Sequence, residues 1–183
     1  MAVTFSAVLA AHGQSFSSAM LIGVVKRVVI LGPGASGKST LALRLGEITA
    51  LPVIELDKVF WQPGPVAMPP AQWAELQRKL IQQENWVMEG DLGPYDLVEI
   101  RLRAADTILF LDFSLLRCAW RALGRSHERM DFWLWLLRYP YRSRPFLLRM
   151  IAAHAPGARL YVLRNPAEVA RFLGDVRSRS GIS

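Results

Sequence analysis

Gly32-Pro33-Gly34-Ala35-Ser36-Gly37-Lys38-Ser39-Thr40 fits the pattern G-x-x-x-x-G-K-S/T at each fixed position. Glycines in such a run let the backbone curl so that successive N–H groups point inward at a phosphate, an approach that a Cβ would obstruct. Lys38 then reaches the outer phosphates, and Ser39 offers a hydroxyl to Mg²⁺. The helix opening there turns its positive end toward the same anion. The pattern needs a strand before it and a helix after it. Val28-Val29-Ile30-Leu31 is a short apolar, β-branched run suited to a strand buried on both faces. Leu41, Leu45 and Ile48 follow at i, i+4 and i+7, the spacing of one helix face. The expectation is a phosphate-binding loop for a nucleoside triphosphate, with residues 32–40 as its cradle.

Working outward, apolar runs alternate with helical patterns. The reading places strands at about 28–32, 52–55, 86–89, 107–111 and 159–163. Helices are expected at 38–49, 71–84, 114–128, 132–152 and 166–178. Five short strands joined by helical crossovers predict an α/β fold with a parallel sheet wound on both faces. Ligands in such sheets bind beyond the carboxyl ends of the strands, so polar residues there are the site candidates. Asp57 follows the second strand and reads as an acceptor for a substrate hydroxyl or for water around Mg²⁺, with helix capping as its structural alternative. Three carboxylates compete as the Mg²⁺ group that such a loop requires: Glu89 first, then Asp91, then Asp112 at the end of an apolar strand.

The 183 residues suit one domain, and 52% apolar content excludes intrinsic disorder. The lone Cys118 forms no internal disulfide and reads as core packing beside Trp120, in keeping with a cytoplasmic location. Residues 1–25 carry no charged side chain but lack a basic leader, and their apolar stretches are too short to span a bilayer. They read as a loosely ordered or mis-started extension ahead of a domain at 26–178. No membrane span is expected elsewhere.

Net charge is +7, from only four lysines against eighteen arginines, and eight of those arginines lie between Arg117 and Arg149. Guanidinium groups grip phosphate oxygens bidentately, so the cluster suits a nucleotide clamp or a nucleic-acid backbone. Arg117, Arg121, Arg125 and Arg129 recur every fourth residue and form one stripe, with Leu116, Trp120 and Leu123 on a neighbouring apolar face. Asn165-Pro166-Ala167-Glu168 carries the signature of a helix start.

Several stretches together resemble the adenylate-kinase-related P-loop proteins often labelled DNA topology modulation proteins: VVILGPGASGKSTLA, LPVIELDKVFW, NWVMEGD, Arg101 to Asp106 leading into TILFLDF, CAWR, RYPYRSRP and LYVLRNPAEV. The resemblance covers about residues 26–173. It implies a nucleoside-kinase-like three-layer fold with strand order 2-3-1-4-5, ATP and Mg²⁺ as cofactors, a substrate arm at 57–85 and an arginine-rich lid region at 114–149. It also implies that Asp57 and Arg101 face the phosphoryl acceptor. Members of the family usually carry Asp-Gly-Asn-Tyr where this chain has Glu89-Gly90-Asp91-Leu92, and the segment from Arg125 to Asp131 is shorter than the family's lid.

The resulting expectation is a small phosphotransferase or NTPase. Lys38, Arg121 and Arg125 would be catalytic, Ser39 and Glu89 would hold Mg²⁺, and Asp57 and Arg101 would face an acceptor of unknown identity. The alternative is a nucleotide-gated protein that associates with DNA through its basic surface and turns over little.

Overall fold

Val28 and Ile30 face one side of the central strand while Val29 and Leu31 face the other, and all four are fully buried. A strand apolar on both faces requires helices above and below it. In the computed structural model, which describes residues 25–63, 66–123 and 130–180, that strand is β1 (Arg27–Leu31). The chain continues as α1 (Lys38–Thr49), β2 (Val53–Glu55), α2 (Leu56–Phe60), and a small hairpin of β3 (Trp61–Gln62) and β4 (Val66–Ala67). Next come α3 (Pro70–Leu80), β5 (Trp86–Glu89), α4 (Val98–Ala104) and β6 (Thr107–Leu111). The last elements are α5 (Leu115–Leu123), α6 (Met130–Arg138), α7 (Ser143–His154), β7 (Arg159–Leu163) and α8 (Pro166–Ser180).

The main sheet has five strands in the order β2-β5-β1-β6-β7, all pairs parallel. Counting only these strands along the chain, the order is 2-3-1-4-5, as expected. Ile30 pairs with Glu89 on one side and with Leu109 on the other, so the ends of β1, β5 and β6 lie level.

Alternation along the strands divides the interior into two cores. On one face Val28, Ile30, Val87 and Leu109 meet Leu41 and Leu45 of α1 and Phe172 and Val176 of α8. On the other, Val29, Met88, Ile108 and Phe110 meet Leu56, Phe60, Trp73, Leu102 and Leu147. Trp73, Trp86 and Phe60 are fully buried, and each such side chain contributes roughly 1.5–3 kcal/mol relative to exposure.

Asp106 ties the beginnings of the two central strands together. Its Oδ2 accepts the N–H groups of Lys26 and Arg27 at 3.1 and 2.8 Å, and its Oδ1 accepts the Thr107 hydroxyl at 2.7 Å.

The structure corrects several element boundaries. The helix expected at 132–152 is two helices, α6 and α7, broken at residues 139–142. Pro140 offers no N–H and restricts the residue before it, so α6 stops at Arg138. Helix α4 was not anticipated, because its seven residues are too few to display a period. The inward face of α5 is Cys118 and Ala122, whereas Leu116, Trp120 and Leu123 are 85, 79 and 63% exposed. Trp120 is therefore not core packing, though Cys118 is buried and its thiol is pushed up by burial. Of the extension expected at 1–25, residues 1–24 lie outside the described residues, whereas Val25 is buried in the core; of the short lid from Arg125 to Asp131, residues 125–129 lie outside them too, Arg125 included. No helix among the described residues is long and apolar enough to cross a membrane.

Candidate functional site

The phosphate-loop pattern occupies the turn between β1 and α1, at the carboxyl edge of the sheet. Gly37 caps α1 with φ 97°, in the left-handed region that glycine tolerates, and no side chain caps the helix there. A methyl placed on Gly37 would meet both terminal guanidinium nitrogens of Arg121 at 3.2 Å. Arg121, predicted as catalytic from its stripe, thus lies directly over the loop. On the other side, a methyl on Gly34 would stand 2.5 Å from Cε2 of Phe132 and 2.9 Å from Cζ3 of Trp135. Helix α6 packs its aromatic rings onto the loop backbone, a contact that the sequence did not disclose.

Lys38 folds back along the loop and donates to the carbonyl oxygens of Gly32 and Pro33, both at 3.0 Å. Ser36 is almost fully buried, and its Oγ has no partner among the described residues. A buried, unpartnered hydroxyl inside a curl of backbone suits an anionic oxygen acceptor, so the loop fits a phosphate.

Ser39 separates the three competing carboxylates. Its hydroxyl donates to Glu89 Oε1 at 2.9 Å, from the first turn of α1 to the end of β5. Burial pushes the Glu89 carboxyl up, while the Ser39 hydrogen bond and the Lys38 charge pull against that rise. Asp112 instead forms a two-pronged ion pair with Arg144, at 2.7 Å to Nε and 2.8 Å to Nη2. Asp91 is turned toward the following loop, where its Oδ1 accepts the Gly93 N–H at 3.0 Å and its Oδ2 is buried without a partner among the described residues. A serine hydroxyl beside a carboxylate is a set of hard oxygen donors, the chemistry Mg²⁺ selects.

Asp57 stands in the first turn of α2, just past β2, and no side-chain bond caps that helix. The capping alternative is therefore not the arrangement observed. Asp57 is open to solvent yet recessed, and desolvation pushes its carboxyl up against the opposing pull of Lys38.

Arg101 is a buried residue of α4. Its side chain is fully buried and makes two bonds to Asp96, at 2.7 and 2.6 Å, with further bonds to Gln77 Oε1 at 3.1 Å and to the Gly90 carbonyl at 3.0 Å. Desolvation opposes its charge, yet the Asp96 carboxylate more than compensates and holds the guanidinium above its usual range. In this arrangement the guanidinium braces residues 90–96.

A comparison with solved structures finds chains of the same architecture. Shikimate kinase from Acinetobacter baumannii in complex with shikimate is 12% identical, with a TM-score of 0.59 over 87% of this chain and 97% of that one. The fold is that of the small P-loop kinases. An unliganded sugar kinase from Janibacter sp. HTCC2649 is 17% identical with a TM-score of 0.53, covering 87% of this chain and all 100% of that one. Shikimate kinase from Bacteroides thetaiotaomicron is 13% identical with a TM-score of 0.52, over 85% of this chain and 98% of that one. No family model matches the chain, and no curated protein matches it. The P-loop kinase architecture is thus established at the level of the fold, whereas the DNA topology modulation resemblance stays a reading of the sequence. Of the arginine stripe only Arg117 and Arg121 are described, and the exposed Arg121 places its guanidinium beside Gly37 of the loop.

Proposed function

We propose that this chain is a small-molecule phosphotransferase that uses Mg-ATP. The observation that carries this reading is the Ser39 to Glu89 hydrogen bond at the end of the phosphate loop, beneath Arg121. The loop amides and Lys38 bind the β- and γ-phosphates, with the buried Ser36 hydroxyl as a further donor. Ser39 and Glu89 hold Mg²⁺, which when bound screens the phosphate charge. Arg121 lies where negative charge accumulates on the transferring group, and a fixed donor there stabilises the transition state. Asp57, recessed beyond β2, takes the proton from the acceptor hydroxyl as that oxygen bonds to the γ-phosphorus and the bond to the β–γ bridging oxygen breaks. ADP and a phosphorylated acceptor are the products.

The test is ³¹P NMR of Mg-ATP with the purified protein against nucleosides, nucleotides and small hydroxylated acids and sugars, alongside Lys38→Ala. A new phosphoester that vanishes in Lys38→Ala supports the reading. ATP binding with no product from any acceptor overturns it in favour of a nucleotide-binding protein without turnover.

A further inference from the structure

Beside the phosphate loop lies a cavity of about 630 Å³, a size that suits a metabolite and not a macromolecule. Trp135 forms part of its wall and is the same ring that packs against Gly34, so one side chain borders both cavity and loop. Asp91, Asp96, Arg138 and Arg142 line it, and Phe146 and Leu147 supply apolar wall.

The charges in this region are unequal in their commitments. Asp96 is fully engaged by Arg101, and Arg144 is fully engaged by Asp112. No described carboxylate lies within salt-bridge distance of Arg138 or Arg142. The break between α6 and α7 aims these two side chains, one from the last residue of α6 and the other from the residue that caps α7. Ser143, the first residue of α7, also lines the cavity, and the first turn of that helix carries no acid and no side-chain cap. Two unpaired guanidinium groups and a positive helix end thus border a concave, partly apolar space. Asp91 also lines the cavity, and its buried Oδ2 has no partner among the described residues, which leaves the carboxylate with acceptor capacity for a hydroxyl.

From this arrangement we infer that the cavity takes a small hydroxylated anion, its carboxylate or phosphate held by Arg138 and Arg142 and a hydroxyl directed to Asp91. This names the acceptor class and rests on the phosphotransferase reading for its role in catalysis, although binding of the anion does not require nucleotide.

Titration calorimetry without ATP tests it with a matched series: D-glucose, D-gluconate and D-glucose 6-phosphate, which share a hydroxylated skeleton and differ in charge. The parent protein is expected to bind at least one anion more tightly than neutral glucose by about tenfold or more, the scale of a charge-assisted pair. Preference for gluconate assigns a carboxylate, and preference for the phosphate ester assigns a phosphate. The Arg138→Gln/Arg142→Gln variant is expected to abolish the preference while its melting temperature is unchanged, and Arg171→Gln, on the exposed side of α8, to retain it. Equal affinities across the series, binding of none of them, or an equal loss in Arg171→Gln overturns the inference. So does anion binding that is lost in Lys38→Ala but retained in the double variant, because that places the anion on the phosphate loop. Failure of the phosphotransferase reading shows separately, as absence of phosphoester formation with anion binding intact.

Discussion

Arg101 and Asp96 form a buried ion pair with two hydrogen bonds, at 2.7 and 2.6 Å, from a helix with no exposed face at that position to the loop that follows β5. The same guanidinium also donates to Gln77 Oε1 in α3 and to the Gly90 carbonyl, so one side chain joins three elements. The loop bearing Asp91 and the segment entering α4 are therefore held from within.

Arg101→Met is expected to destabilise the protein by about 3–5 kcal/mol, because it leaves the Asp96 charge buried without its partner. Asp96→Asn should cost less than Arg101→Met, since the amide oxygen still accepts one guanidinium bond. Urea unfolding of the two variants checks the order, and a loss below 1 kcal/mol for Arg101→Met would show the pair to be dispensable.

Glu89→Gln is expected to raise the melting temperature at pH 8 in the absence of nucleotide. The folded-state carboxyl is pushed up by burial, so ionisation costs stability above the folded value. That cost is absent below the ordinary glutamate value of 4.5, and the parent and variant should converge there. The same substitution should weaken the Mg²⁺ dependence of ATP affinity, which calorimetry with and without Mg²⁺ measures.

Gly34→Ala should destabilise by about 1–3 kcal/mol, since its methyl overlaps Phe132 and Trp135 and α6 must shift. Phe132→Leu opens the space on that side, and a double-mutant cycle should show the two changes to be less than additive. Additive losses would mean that the ring does not rest on the loop.

Arg121→Ala is expected to lower kcat by about 10²–10³, the scale of losing one fixed donor to a developing charge. Stability should change by no more than about 0.5 kcal/mol, because the side chain is exposed. Arg121→Lys should restore only part of the rate, since an ammonium cannot present the paired N–H groups. Single-turnover kinetics and thermal melting together make the measurement.

The acid limb of the kcat/KM profile should lie above the ordinary aspartate value of 3.8, because desolvation pushes Asp57 up and the base works only when ionised. Activity is expected to fall as pH drops through that raised value. Asp57→Asn should lower kcat and remove the limb; an unchanged limb would assign the proton transfer elsewhere.

Much of the architecture was readable from residue pattern. The five core strands are short apolar runs, and their placement between helical spacings of Leu41, Leu45 and Ile48 required parallel pairing. The phosphate loop was readable because its chemistry is contained in nine consecutive residues. Helix α4 and the break at Pro140 were harder, one because seven residues give no clear period and the other because an apolar run continued across it. The orientation of α5 was misread because Leu116, Trp120 and Leu123 are the larger apolar residues, whereas the smaller Cys118 and Ala122 are the ones it buries.

By itself the sequence determined the parallel α/β layering and the place of the phosphate loop, since both follow from local backbone geometry and from apolar periodicity within short windows. Tertiary structure alone decided which charges remain available. Ser39 meets Glu89 across 50 residues, Asp112 is taken by Arg144 across 32, and Arg101 is spent on Asp96 inside the core. A carboxylate or guanidinium looks the same in sequence whether it faces a ligand or a counterion, because the distinction lies in burial and in partners that only the folded chain brings within hydrogen-bonding distance.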